Sequence, residues 1–407
     1  MTVCWNSTNH LESTMETLDT DERNHGAIHE STDNVELRYS LSCLFKIEYD
    51  YLSLHATRGW GPNPQLQYPK LPNNKDQTKR PLPEIHVKWR SVIFEWFYKI
   101  IDHFLLDRGI VAIAMDYVDR FLLLHPTAES ETMTQKIYQL VAMSALYTAM
   151  KLHGGNDGGS LGTEWKLKRK TFCLKSFVKL SRGQFEPKDI LAMEIHILKT
   201  LSWKVNPVTF TCFLDLYMVL FPSPEQFSED QCKRTLQRNR IAIHVLHNLA
   251  RYFVELGVCI PGITPYFDTE HSTFGINPLA PSSVSYAALL LSMDIMTLSA
   301  IPLNARQTFL HQFSVAQKQV IAETGDERYL LMTPQTPEIL LLKQLIQAQF
   351  EPSLLLGPLP GPDEGGINHH PFQIAKKAGM FNMEFFKNEK LGMTKSPTSP
   401  LEDEIDM

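Results

Sequence analysis

The chain has 407 residues, more than one hydrophobic core usually serves, so two folded units with tails are expected. Hydrophobic residues make up 43% and charged residues 21%, an ordinary balance for a globular protein, which excludes a wholly disordered or membrane-embedded chain. The formal net charge is −6 and the 39 basic residues are scattered, so there is no overall basic field for nucleic acid. The six cysteines, Cys4, Cys43, Cys173, Cys212, Cys232 and Cys259, form no CxxC pair, and no histidines cluster at metal-ligand spacing. Free thiols in a reducing compartment are expected, with no metal and no other cofactor. The polar, acidic N-terminus is unlike a signal peptide, and apolar runs such as Phe210 to Phe221 fall short of the roughly 20 residues that span a bilayer. A soluble intracellular protein without a membrane or nucleic-acid partner follows.

Residues 1–34 mix Thr, Asn, Glu, Asp and Ser with few apolar anchors, which reads as a disordered tail. In residues 35–87 a short amphipathic helix between Val35 and Leu54 leads into a linker, where six prolines between Gly59 and Pro83 forbid helix. From Lys88 to Phe104, Val92, Ile93, Trp96, Phe97, Ile100, Ile101 and Phe104 paint one stripe on a helix. A second stripe runs from Val111 to Leu122 until His125 and Pro126 end it. Ile137 to Met150 is apolar or small almost all round, which predicts the central helix of a bundle. A glycine-rich loop from His153 to Gly162 comes next. Thr171 to Leu180 reads as a short helix, and Pro187 opens another whose stripe holds Ile190, Met193, Ile197, Leu198 and Leu201.

Five further helices are expected after the break at Trp203 to Pro207: Val208 to Leu220, Cys232 to Leu256, Ser282 to Met296, Ala305 to Glu323 and Pro337 to Phe350. No stretch alternates with period two, so the fold class is all-α: two successive five-helix units, residues 88–205 and 206–350. Residues 351–407, rich in Pro, Gly and charge apart from an apolar patch at Met380 to Phe386, read as a second disordered tail.

On these helices, Trp89-Arg90-Ser91-Val92-Ile93-Phe94-Glu95-Trp96 resembles the MRAIL-type start of the cyclin box. Val118-Asp119-Arg120-Phe121-Leu122 is similar to the cyclin VDRFL segment, Tyr138-Gln139-Leu140-Val141-Ala142 to LQLVG, and Ala149-Met150-Lys151 to the lysine-ended third helix. Ala192-Met193-Glu194, Ile197-Leu198 and Leu201-Ser202-Trp203 resemble the signature that closes the box. Each motif alone is weak, but their order over about 120 residues makes the set specific to the cyclin family. Pro281-Ser282-Ser283-Val284 before an Ala/Leu-rich helix resembles, more weakly, a degenerate C-terminal cyclin fold.

The resemblance implies two tandem cyclin folds and a regulatory subunit, not an enzyme, that binds and activates a cyclin-dependent protein kinase in cell-cycle control, in nucleus and cytoplasm. It implies kinase contact by Lys151 and Glu194, as charge-assisted hydrogen-bonding groups beside the kinase C-helix, and by apolar Leu152, Leu198, Trp203 and Val205. For Leu198, on the stripe of Leu201, core packing fits equally. Arg90 and Asp119 match the family's internal ion pair, in which two parallel bonds tie the first helix to the second. Trp89, Val92, Ile93, Trp96, Tyr138 and Gln139 match a patch that docks substrates carrying Arg-x-Leu. There Lys99 replaces the usual acid, so such a substrate is expected to be repelled. Leu152-His153-Gly154 replace the paired acids that usually follow the lysine, which points to a divergent cyclin.

Trp165 to Lys170 is a basic run open to nuclear import or to a solvated helix start. Thr333, Thr336, Ser396 and Ser399 precede prolines and could be phosphorylated, although such pairs are common by chance. Arg38-Tyr39-Ser40-Leu41 is a bare Arg-x-x-Leu within the candidate N-terminal helix. The alternative is a cyclin-box transcription factor or adaptor that activates no kinase; the lack of a zinc ribbon and of net positive charge speaks against it.

Overall fold

The computed structural model describes residues 36–37, 39–48, 84–104, 106–124, 134–154, 174–227, 232–259, 280–324, 332–350 and 375–382. After a first helix, α1 (residues 39–48), come α2 (Glu84–Phe104), α3 (Gly109–Leu124), α4 (Gln135–His153), α5 (Leu174–Lys179) and α6 (Pro187–Thr200). A second series follows: α7 (Phe210–Val219), α8 (Lys233–Cys259), α9 (Pro281–Ile295), α10 (Leu303–Thr324) and α11 (Pro337–Ala348). Among the described residues there is no strand, and one isolated antiparallel bridge joins Met296 to Phe381. The expected all-α pair of five-helix series is therefore the observed architecture, with α2–α6 first and α7–α11 second.

Each series is built round one enclosed helix. In α4 every residue from Val141 to Met150 is buried, and the small residues Ala142, Ser144, Ala145 and Ala149 let α3 and α6 pack closely on it. In α9 Ser282 to Met293 are buried throughout, with α7, α8 and α11 around them. Local chemistry sets the ends. Thr134 caps α4 by accepting the amide of Ile137, while Glu186 and Asp189 form a capping box round Pro187 at the start of α6.

One continuous core runs through both series and includes Leu41, Leu44 and Phe45 of α1. Phe45 packs on Phe213 with ring centroids 5.2 Å apart. Leu41, the last residue of the Arg-x-x-Leu match, is 1% exposed, whereas Arg38 lies outside the described residues. Three polar ties also join distant parts. The Arg90 guanidinium donates from α2 to the Val258 carbonyl at the end of α8 (2.7 Å). Arg108 grips Glu255 of α8 through two bonds (3.0 and 2.8 Å) and Asp102 of α2 through two more (2.9 and 2.7 Å). Buried Glu48 accepts from the Ser282 amide (2.8 Å) and hydroxyl (2.7 Å), capping α9, whose own N-cap residue, Ala280, has no side chain for the task.

The C-terminal region holds one departure from expectation. Residues 375–382 lie within the stretch read as disordered, yet Ala375, Met380 and Phe381 are buried. Thr297 donates to the Met380 carbonyl (2.8 Å) and Asn382 to that of Ile295 (2.7 Å). The apolar patch that stood out in composition has enough side chain to repay local ordering against the end of α9.

Glu48 gives the fold a distinctive pH dependence. Burial pushes its carboxyl up to about 7, against the two Ser282 bonds, which favour the charged form. A raised carboxyl pKa means the folded state keeps a proton that the unfolded chain has released, so this group's contribution is full below about 4.5 and is lost as pH rises through about 7. The loss is about 3 kcal/mol. Glu48→Gln keeps an acceptor for the Ser282 amide without a charge to bury. Its thermal stability should gain on that of the wild type as pH rises from 5 to 8; a constant difference across that range would contradict the assignment.

Candidate functional site

The end of α4 and the outward side of α6 bring charged and apolar groups together. Lys151, in the last turn of α4, forms an ion pair with Glu194 of α6, and its ammonium lies 5.6 Å from the centroid of the Tyr147 ring. Glu194 is also reached by the Thr148 hydroxyl at 3.4 Å, which donates at the same time to the Ser144 carbonyl. The pair is asymmetric: the carboxylate side chain is 5% exposed and the lysine side chain 46%. Solvent weakens such a pair, so it adds little to stability and leaves the ammonium able to turn to another acceptor.

Four apolar side chains on α4, α6 and the turn after α6 are exposed, Leu152 (41%), Leu191 (39%), Ile195 (50%) and Trp203 (65%). Leu191 and Ile195 lie one turn apart on α6 with Glu194 between them. Trp203 stands out because the chain leaves α6 through two consecutive left-handed residues, Ser202 (φ 51) and Trp203 (φ 60). The Trp203 amide donates back to the Leu198 carbonyl at 2.9 Å. Each non-glycine residue in that region costs roughly 1–2 kcal/mol, so surrounding contacts must hold it. They do: Arg120 donates to the Lys204 carbonyl (2.9 Å), and the Tyr117 hydroxyl donates to that of Val205 (2.5 Å), within 3.1 Å of which lies His153 Nε2.

The sequence expectations divide here. Lys151 and Glu194 meet, and Leu152 and Trp203 are exposed. Leu198, for which kinase contact and core packing fit equally, is 8% exposed on the stripe of Ile197 and Leu201, which favours packing. Val205 is half-buried against the core, and its carbonyl, not its side chain, is the engaged group. Leu191 and Ile195 were missed. Their signal was a pair of apolar residues at i and i+4 lying off the core stripe of α6.

The expected docking patch is thinner than its motif. Ile93 (4%) and Tyr138 (0%) are corrected to core positions, since α2 and α4 pack face to face there. Trp89, Val92, Trp96 and Gln139 are half-buried, and Lys99 is exposed but bonded to Glu95 at 2.6 Å, which offsets its charge. Arg90 and Asp119 do meet, both buried, through a single contact of 3.2 Å instead of two parallel bonds. The second guanidinium nitrogen is taken by Val258 of α8, while the Arg90 Cζ lies 4.8 Å from the Phe94 ring centroid.

Thr333 is exposed, whereas Thr336 is buried as the cap residue before α11 and accepts from the Thr333 amide (2.9 Å). The glycine-rich loop from 155, the basic run Lys166–Lys170, Ser396 and Ser399 lie outside the described residues. Among the described residues Cys43, Cys212, Cys232 and Cys259 are free thiols, no group of three or more His, Cys, Asp and Glu could hold a metal, and no helix is long and apolar enough to cross a membrane.

A family model for the cyclin N-terminal domain matches residues 65–206, the stretch that contains this site. Residues 65–206 of this chain are thus similar to the cyclin N-terminal domain. It is 28% identical to the G1/S-specific cyclin-E1 of Gallus gallus over 136 residues, 33% of this chain and 29% of that protein. It is 23% identical to the G1/S-specific cyclin CLN3 of Candida albicans over 216 residues, 53% of this chain and 40% of the relative. Less than half of either relative's length is thus matched. A viral cyclin from herpesvirus saimiri of known structure overlaps 65% of this chain and 86% of its own, at 16% identity and a TM-score of 0.39.

The buried Arg90–Asp119 ion pair sets a stability prediction. Arg90→Met leaves Asp119 buried without its cation and should cost about 3–5 kcal/mol, whereas Arg90→Met with Asp119→Leu should cost less than Arg90→Met alone. Urea unfolding of the wild type, Arg90→Met and the double variant measures this; a double variant that loses as much stability as Arg90→Met or more would contradict it.

Proposed function

We propose that this protein binds a cyclin-dependent protein kinase through the exposed end of α4 and α6 and activates it by holding the kinase C-helix in its active position. The observation that carries the reading is the half-exposed Lys151, anchored by buried Glu194, together with exposed Leu152, Leu191, Ile195 and Trp203 on α4, α6 and the turn after α6. An aromatic and aliphatic cluster round a charged donor is how a protein interface concentrates its binding energy. Covering the exposed part of each apolar side chain contributes about 1 kcal/mol of gross burial, and the lysine supplies a charge-assisted bond to a main-chain carbonyl.

The phosphoryl transfer belongs to the kinase, and this protein acts by binding the active arrangement more tightly than the inactive one. The relatives' designation as G1/S-specific cyclins supports a role in cell-cycle progression, and a nuclear and cytoplasmic location goes with that role. Substrate docking through Trp96 has weaker support, because Ile93 and Tyr138 are withdrawn into the core.

The test is capture of cyclin-dependent kinases by the tagged chain, followed by histone phosphorylation. Trp203→Ala and the double variant Lys151→Ala with Glu194→Ala should each weaken the complex about tenfold or more and lower phosphorylation in step. Unchanged capture and activity in both, with helix content preserved, would overturn the reading.

A further inference from the structure

His153 ends α4 directly after two outward-facing residues, Lys151 and Leu152, and yet turns inward to 7% exposure. Its Nε2 lies 3.0 Å from the Tyr117 hydroxyl and 3.1 Å from the Val205 carbonyl. Tyr117, itself fully buried on α3, donates to that same carbonyl at 2.5 Å. One turn along α3, Arg120, held by Asp116 at 2.7 Å, donates to the neighbouring Lys204 carbonyl at 2.9 Å. Two successive carbonyls are thus gripped from α3 and α4 immediately after the left-handed pair Ser202 and Trp203.

We propose that His153 is a positioning residue for kinase binding: by fixing the Val205 carbonyl together with Tyr117, it helps to hold the strained turn that keeps Trp203 projecting. The inference rests on the reading of this face as the kinase-binding surface. The turn is also held by the amides of Ser202, Trp203 and Lys204, which donate to Lys199, Leu198 and Leu201, and by Arg120 at the Lys204 carbonyl; the grip on Val205 adds to these in offsetting the cost of two non-glycine residues in the left-handed region. Without that grip the exposed indole would sample more directions, and ordering it again would be charged to each binding event. His153 itself touches no partner. Its side chain lies beneath the surface and acts through the turn.

Leu152, His153 and Gly154 follow Lys151 in the chain. A carboxylate in place of His153 would bring an acceptor against the Val205 carbonyl oxygen, where a donor is required. The turn and the helix end are therefore matched to each other within this chain.

Two readouts on the full chain test this: affinity for a cyclin-dependent kinase that the wild type captures, and the ¹⁹F spectrum of fluorotryptophan-labelled protein, with the Trp203 signal assigned from Trp203→Phe. His153→Ala should weaken kinase binding roughly five- to tenfold and shift or broaden the Trp203 signal in the free protein. His153→Gln, whose amide can donate from nearly the same place as Nε2, should restore both. Tyr117→Phe, which keeps the packed ring, should act in the same direction as His153→Ala and serves if that variant does not fold. If Trp203→Ala and the Lys151/Glu194 double variant bind like the wild type, the kinase-face reading fails. If they weaken binding while His153→Ala and Tyr117→Phe leave affinity and the Trp203 signal unchanged, the positioning role is overturned. A loss of affinity with an unchanged Trp203 signal, or without rescue by His153→Gln, also overturns it.

Discussion

Helix α4 is enclosed from Val141 to Met150, and this burial decides where the first series can offer chemistry. A helix surrounded by α3 and α6 has no side to present, so its interactive groups must come where it emerges at its end. Three successive residues there divide the work. Lys151 and Leu152 leave the core for the surface, and His153 turns back under it to meet Tyr117 and Val205. The turn that carries Trp203, arriving from α6, is fastened to the same helix end through the Val205 carbonyl.

The second series bears on that surface through rigidity. Arg90 couples α2 both to α3, through Asp119, and to α8, through the Val258 carbonyl. Arg108 does the same at the other end of α2, from Asp102 to Glu255. Glu48 carries α1 onto the start of α9, where the chain has no capping side chain of its own. These polar ties are few, directional and partly or wholly buried, so they fix one arrangement of two helix bundles that apolar packing alone would leave free to slide.

How much of this could be read from the sequence depends on how locally each feature is encoded. All ten helices from α2 to α11 were visible in periodicity and caps, because a 3.6-residue stripe is a property of neighbours in the chain. The meeting of Lys151 with Glu194 and of Arg90 with Asp119 was visible through motif resemblance, which carries spatial knowledge that periodicity lacks. Features that join residues far apart left no local trace: Glu48 with Ser282, Arg90 with Val258, and Met380 with Thr297. Ile93 and Tyr138 lie deeper than their motif positions imply, and Leu198, open to either reading, lies on the buried side. Motif positions gave them a surface, whereas the stripe of α6 and the facing of α2 on α4 put them in the core.

Hydrogen–deuterium exchange of the full chain with and without a bound cyclin-dependent kinase tests the central claim most directly. The account predicts that kinase binding slows exchange chiefly in residues 148–154 and 191–206, the end of α4 with α6 and its turn, while residues 92–99 on the Trp96 side change little. Protection confined to residues 92–99 or to the second helical series, with the end of α4 unaffected, would contradict it.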